Sequence, residues 1–138
     1  MDFKVFKILL SVEAVLLFIQ FWLGVSINLF VSMPLLSPFD FSTYSGGSEV
    51  LAHIVNGALV IALAGLILIY GVRLKSIFVS ALSTAALALV IVASERGMVY
   101  SLVGHNGTYS LEMAISFLVA YTIYLALFYA PERLLSRK

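Results

Sequence analysis

Four apolar runs constrain this chain more than any other feature. They cover residues 5–31, 48–71, 76–102 and 109–130, and no proline falls inside any of them; Pro34, Pro38 and Pro131 all lie at or beyond their ends. A helix needs about 20 mainly apolar residues to cross the hydrocarbon core of a bilayer. Each run is long enough. The backbone of a spanning segment must satisfy its own hydrogen bonds, which leaves helices or closed barrels, and runs of this length and continuity predict helices.

Composition agrees. Hydrophobic residues make up 62% of the 138-residue chain and charged residues 11%, where a soluble domain carries about a quarter charged. The surplus apolar surface must face lipid. No polar stretch is long enough to fold as a domain of its own. The absence of cysteine excludes disulfides, thiolate zinc sites and iron–sulfur clusters. A net charge of +1 gives no global field for nucleic acid, and no Gly-rich phosphate loop or HExxH pattern is present.

The connections are short. Residues 72–75 join the second and third runs, and residues 103–108, with the turn-forming pair Asn106-Gly107, join the third and fourth. The first connection is longer and carries Phe39, Phe41 and Tyr44, aromatics suited to the headgroup level. Short connections make consecutive helices antiparallel. The expected fold is all-α: one domain, an up-down four-helix transmembrane bundle.

Lys and Arg placement sets the expected orientation. Lys4, Lys7, Arg73, Lys75, Arg133, Arg137 and Lys138, seven of the eight basic residues, fall on one side, read as cytoplasmic together with both termini. Arg96 falls near the other. The first run is longer than a signal-peptide core and lacks a small-x-small cleavage site, so it is read as a retained span of a cell-membrane protein.

Ionisable residues inside spans are costly and mark candidate sites. With this topology His53 and Glu49, then Glu95, Arg96 and Met98, then His105, Glu112 and Met113 all fall towards the outer side, as a polar cluster. Glu49, His53, Asn56, Gly57, Val60 and Ala64 share one helical face. Gly57, one turn after His53, offers a notch for a flat macrocycle, or simply for a close helix approach. Glu13, Gln20, Gly24 and Asn28 form a stripe on the first span, and Ser76, Ser80, Ser83 and Ser94 a small-residue face on the third.

These residues suggest a haem b site. A neutral imidazole is a common iron ligand, and four-helix bundles hold such groups between facing helices. His53 is one candidate axial ligand, with His105, Met113 or Met98 opposite. Arg96 would meet a propionate as a bidentate partner, or would pair with Glu49 or Glu112. Alternatively His53 bonds Glu49 or Glu112 within a structural polar cluster. His53, His105 and a carboxylate are also a candidate zinc set. Asn106-Gly107-Thr108 fits the N-glycosylation pattern, or acts as a turn.

Two resemblances bear on this reading. The run Asn28-Leu29-Phe30-Val31 with Pro34, then His53 with Gly57, then Ser110 with Met113-Ala114, resembles a group of small four-span membrane proteins of bacteria and archaea. That resemblance implies the fold and topology and brings no activity. Glu49 and His53 are also similar to the Glu and His of four-helix b-type haem membrane proteins, including one half of a haem A synthase. There the spacing is three rather than four, an Arg follows the His where this chain has Ile54, and the second His lies within a span. This resemblance implies haem binding, with electron transfer, haem handling or a quinone and a membrane redox partner. The other expectations are a non-catalytic subunit or assembly factor of a larger complex, and a small transporter or lipid-binding module lined by Glu49, Glu112 and Arg96. A homo-oligomer fits either.

Overall fold

The computed structural model describes residues 3–32, 40–102 and 107–131. Four helices follow in order: α1 Phe3–Phe30, α2 Gly47–Arg73, α3 Ile77–Leu102 and α4 Gly107–Tyr129. The shortest, α4, has 23 residues. At about 1.5 Å per residue that is roughly 35 Å, more than the ~30 Å hydrocarbon core. All four are long and apolar enough to cross a membrane. The chain is a multi-pass membrane protein with the expected up-down bundle, and the helix ends fall within two residues of the apolar runs. Gly107 and Thr108 already belong to α4. Asn106 and His105 lie outside the described residues.

α1 packs on α2, α2 on α3, α3 on α4, and α4 closes the ring on α1. α1 and α3 therefore face each other diagonally across the core, as do α2 and α4. The outward faces carry large apolar side chains, among them Phe18, Trp22, Leu29, Leu59, Ile91 and Leu118, all exposed. This is the lipid-facing band.

One end of the bundle, here the turn end, carries the start of α1, the α2–α3 turn and the end of α4. The turn is tight. Leu74 donates its backbone N–H to Tyr70 O (3.0 Å), and Lys75 takes the left-handed region at φ 56°, uncommon for a residue with a Cβ. The Ser76 hydroxyl then accepts the Val79 N–H at 3.4 Å, capping α3. The other end, the loop end, carries the first and third connections. There α2 opens on Gly46, at φ 88°, and Gly47. A Cβ on Gly46 would collide with the Val31 side chain, and one on Gly47 with the Phe41 carbonyl, so both positions need glycine.

The core follows one spacing on every helix. Buried positions step by four and three: Phe6, Leu10, Glu13, Leu17 on α1; Val60, Ala64, Ile67, Gly71 on α2; Val79, Ser83, Ala86, Val90 on α3; Ala120, Tyr124, Leu127 on α4. That is the seven-residue repeat of coiled-coil packing. In the turn-end half these positions are filled, and the interior is closed. Three polar groups lie inside it. Glu13, Ser83 and Tyr124 have no exposed surface, and the Glu13 carboxyl oxygens, Ser83 Oγ and Tyr124 Oη have no hydrogen-bond partner.

Candidate functional site

The same repeat, continued towards the loop end, makes a cavity. On α1 it runs on from Leu17 through Gln20 and Gly24 to Ile27. On α2 it runs back from Val60 through Gly57 and His53 to Val50. On α3 it passes Ala93, Gly97 and Tyr100, and on α4 Phe117, Met113 and Ser110. Glycine occupies one of these inward positions on three helices, as Gly24, Gly57 and Gly97. The cavity is about 410 Å³, lined from all four helices and mostly apolar. Its size is within the range of small-molecule sites, which run from about 300 to 1,000 Å³.

Two of the glycines are seats for polar side chains of the facing helix. A Cβ on Gly24 would lie 3.3 Å from Cε1 of His53, and one on Gly57 would lie 3.1 Å from Nε2 of Gln20. Each helix leaves room for the other's polar group. On α3, Gly97 makes way for the Met113 sulfur, 3.2 Å from where a Cβ would stand.

A directional hydrogen-bond chain fixes the His53 ring. It starts at the Leu16 carbonyl, which can only accept. The Asn56 amide nitrogen donates to it at 3.0 Å and also to Gln20 Oε1 at 2.8 Å. With its oxygen so engaged, Gln20 presents its amide nitrogen to Nε2 of His53, at 3.1 Å. An amide nitrogen only donates, so Nε2 accepts and the ring proton resides on Nδ1. Nδ1 is buried with no partner, and His53 lines the cavity. A buried donor without an acceptor costs about 1–3 kcal/mol. The cavity is thus lined by a ring whose one N–H donor is buried and unsatisfied.

The expected polar cluster divides. His53, Gly57, Met98 and Met113 line the cavity, as do Ser94, Tyr100, Ser101 and Ser110. His53 bonds Gln20 rather than Glu49 or Glu112, because α1 and not α4 is the neighbour its ring faces. Gly57 receives Gln20, and the space beside the His53 ring comes from Gly24. Arg96 pairs with Glu112, Nε to Oε2 at 2.9 Å, with both side chains part-exposed, and lies over the Tyr109 ring at 5.9 Å. This pair stands outside the cavity lining. Glu49 and Glu95 are exposed, and Glu49 takes the Ser48 hydroxyl at 2.8 Å. Neither carboxylate reaches the cavity. Among the described residues no three of His, Asp and Glu come together to hold a metal ion.

Gln20, Gly24 and Asn28 do share the inward stripe read from the sequence. Asn28 accepts a hydrogen bond from the Tyr100 hydroxyl at 2.8 Å. That bond joins the diagonal helices α1 and α3 at the loop-end mouth of the cavity. Tyr100 and Phe117 were not singled out by sequence. Their signal is their place in the seven-residue repeat.

Comparison with known proteins returns nothing for this chain: no family model matches it, and neither does any curated protein or solved structure.

Proposed function

We propose that the protein binds a neutral lipophilic small molecule bearing a hydrogen-bond acceptor oxygen, of the quinone class, in the loop-end cavity. The observation that carries this reading is His53, whose ring lines a cavity of about 410 Å³ and whose buried Nδ1 has no partner. A carbonyl oxygen is the complement of that N–H, and the apolar remainder suits a ring and tail. Among the described residues Lys4, Lys7, Arg73 and Lys75 sit towards the turn end, which supports an orientation with both termini in the cytoplasm and the cavity in the outer half of a cell membrane.

The test is equilibrium binding of a short-tailed benzoquinone to the purified protein. Wild type should bind saturably. His53→Phe should bind up to about tenfold more weakly, the worth of one neutral hydrogen bond. A carbonyl-free aromatic of the same shape that binds as tightly as the quinone would defeat the reading.

Haem b is the second reading, supported by one observation: Met113 on α4 lines the same cavity as His53 on the diagonal helix α2. Iron takes a bare imidazole nitrogen. In the arrangement above the bare nitrogen, Nε2, is held by Gln20, so haem ligation requires the ring to turn or its proton to move. Arg96 would first have to leave Glu112 to meet a propionate. A Soret band in protein purified from its membrane, lost in His53→Ala, would favour haem over the quinone class.

A further inference from the structure

We infer that the ligand reaches the cavity from within the bilayer, by parting the α1–α4 seam at Phe21 and Phe117, and that it is a neutral lipophile rather than a phospholipid. This rests on the ligand-binding reading above.

Three observations single out that seam. First, α1 and α4 touch least among the four neighbouring helix pairs. Second, the other three seams join helices linked by a single connection, whereas no single connection joins α1 to α4. They can separate without straining a connection. Third, the seam is bridged at cavity level by an aromatic pair. The Phe21 and Phe117 rings stack with centroids 6.0 Å apart and planes inclined by 29°, and both line the cavity. Phe21 is 48% exposed, so one edge of the pair faces lipid while the other faces the cavity. Such a contact adds only a little to what its buried area contributes. Rotation of two rings opens a path that a well-packed helix seam would deny.

Depth selects the ligand. Phe21 lies nine residues before the end of α1, and Phe117 ten residues after the start of α4, so both sit about 14–15 Å below the loop end. That is near the middle of a ~30 Å hydrocarbon core. A phospholipid headgroup is held at the interface and does not reach this depth. A neutral quinone-like molecule does. The loop-end mouth is crossed by the Tyr100–Asn28 hydrogen bond, which makes it the rival route.

The absence of native cysteine makes the test clean. Phe21→Cys/Phe117→Cys and, as comparison, Asn28→Cys/Tyr100→Cys are each bridged by a short bifunctional thiol reagent in protein reconstituted into phosphatidylcholine vesicles. Two quantities are measured: equilibrium affinity for a tailed benzoquinone, and its exchange rate into acceptor vesicles. Measured against the same unbridged double variant, bridging the seam should slow uptake and release alike by about tenfold or more, and Phe21→Ala should speed exchange. Slower exchange on bridging the mouth but not the seam would overturn the route. Saturable binding of a spin-labelled phospholipid in place of the quinone would overturn the ligand class. Failure of wild type to bind quinone at equilibrium would instead count against the function proposed above, and is read separately from the rates.

Discussion

Gln20 on α1 donates its side-chain amide to Nε2 of His53 on α2 across 3.1 Å, and so decides which ring nitrogen of the histidine holds the proton. The orientation is inherited from a backbone carbonyl, through Asn56, rather than chosen by the imidazole itself.

Gln20→Leu should therefore lower stability by about 1–3 kcal/mol, because it strands His53 Nε2 and removes an acceptor from Asn56. Thermal unfolding in detergent measures this. Gln20→Glu should act differently. A carboxylate only accepts, so the proton moves to Nε2 and Nδ1 becomes the bare nitrogen. Quinone affinity should fall, while affinity for a metal porphyrin should rise.

Gly24→Ala should weaken ligand binding several-fold with little change in helix content. The added methyl stands 3.3 Å from His53 Cε1, and the ring must yield by a few tenths of an ångström. Gly24→Val should weaken it further by pushing the ring off its Gln20 bond. Binding isotherms beside circular dichroism separate the site effect from unfolding.

Glu13→Met should stabilise the bundle, by about 1–3 kcal/mol. The native carboxyl is fully buried without a hydrogen-bond partner, and a buried unpaired polar group costs about that much. Met is similar in length and carries no such cost. Glu13→Gln should recover little, since its amide remains buried among the same groups. Thermal unfolding of the two variants side by side is the check.

Arg96→Gln should change stability by less than about 1 kcal/mol and leave ligand affinity unaltered. Its partner is Glu112, and the two side chains are 36% and 45% exposed, the setting in which ion pairs contribute little. A large loss of affinity would place Arg96 in contact with ligand.

The orientation is tested with single cysteines. Ser42→Cys at the loop end should react with a membrane-impermeant thiol reagent in intact cells. Lys75→Cys, in the α2–α3 turn, should react only after permeabilisation.

The bundle was legible because apolar length and short connections leave a membrane chain few alternatives. Boundaries were good to two residues for the same reason: polar and turn residues mark where the lipid ends. The site was half legible. His53, Gly57 and Met113 were picked out by residue type, and all line the cavity. Their partners were not, since a helical face shows which residues point inward but not which helix they meet. Glu95 was grouped with His53 by depth alone, and rotation about the helix axis turns it outward. Glu49 shares the helical face of His53, but in the first turn of α2 its carboxylate is exposed and takes the Ser48 hydroxyl. Gln20 and His53, 33 positions apart, meet only because the α1–α2 pairing sets Gly24 against one and Gly57 against the other.

The cavity has a thermodynamic consequence. It continues the inward face of all four helices, while the glycine notches themselves are taken by His53, Gln20 and Met113. A molecule that fits it completes the bundle's own packing. Ligand occupancy and resistance to unfolding are then linked, with stabilisation growing as the logarithm of ligand concentration above the dissociation constant. The melting temperature of the purified protein becomes a screen for its ligand, needing neither an activity nor a chromophore.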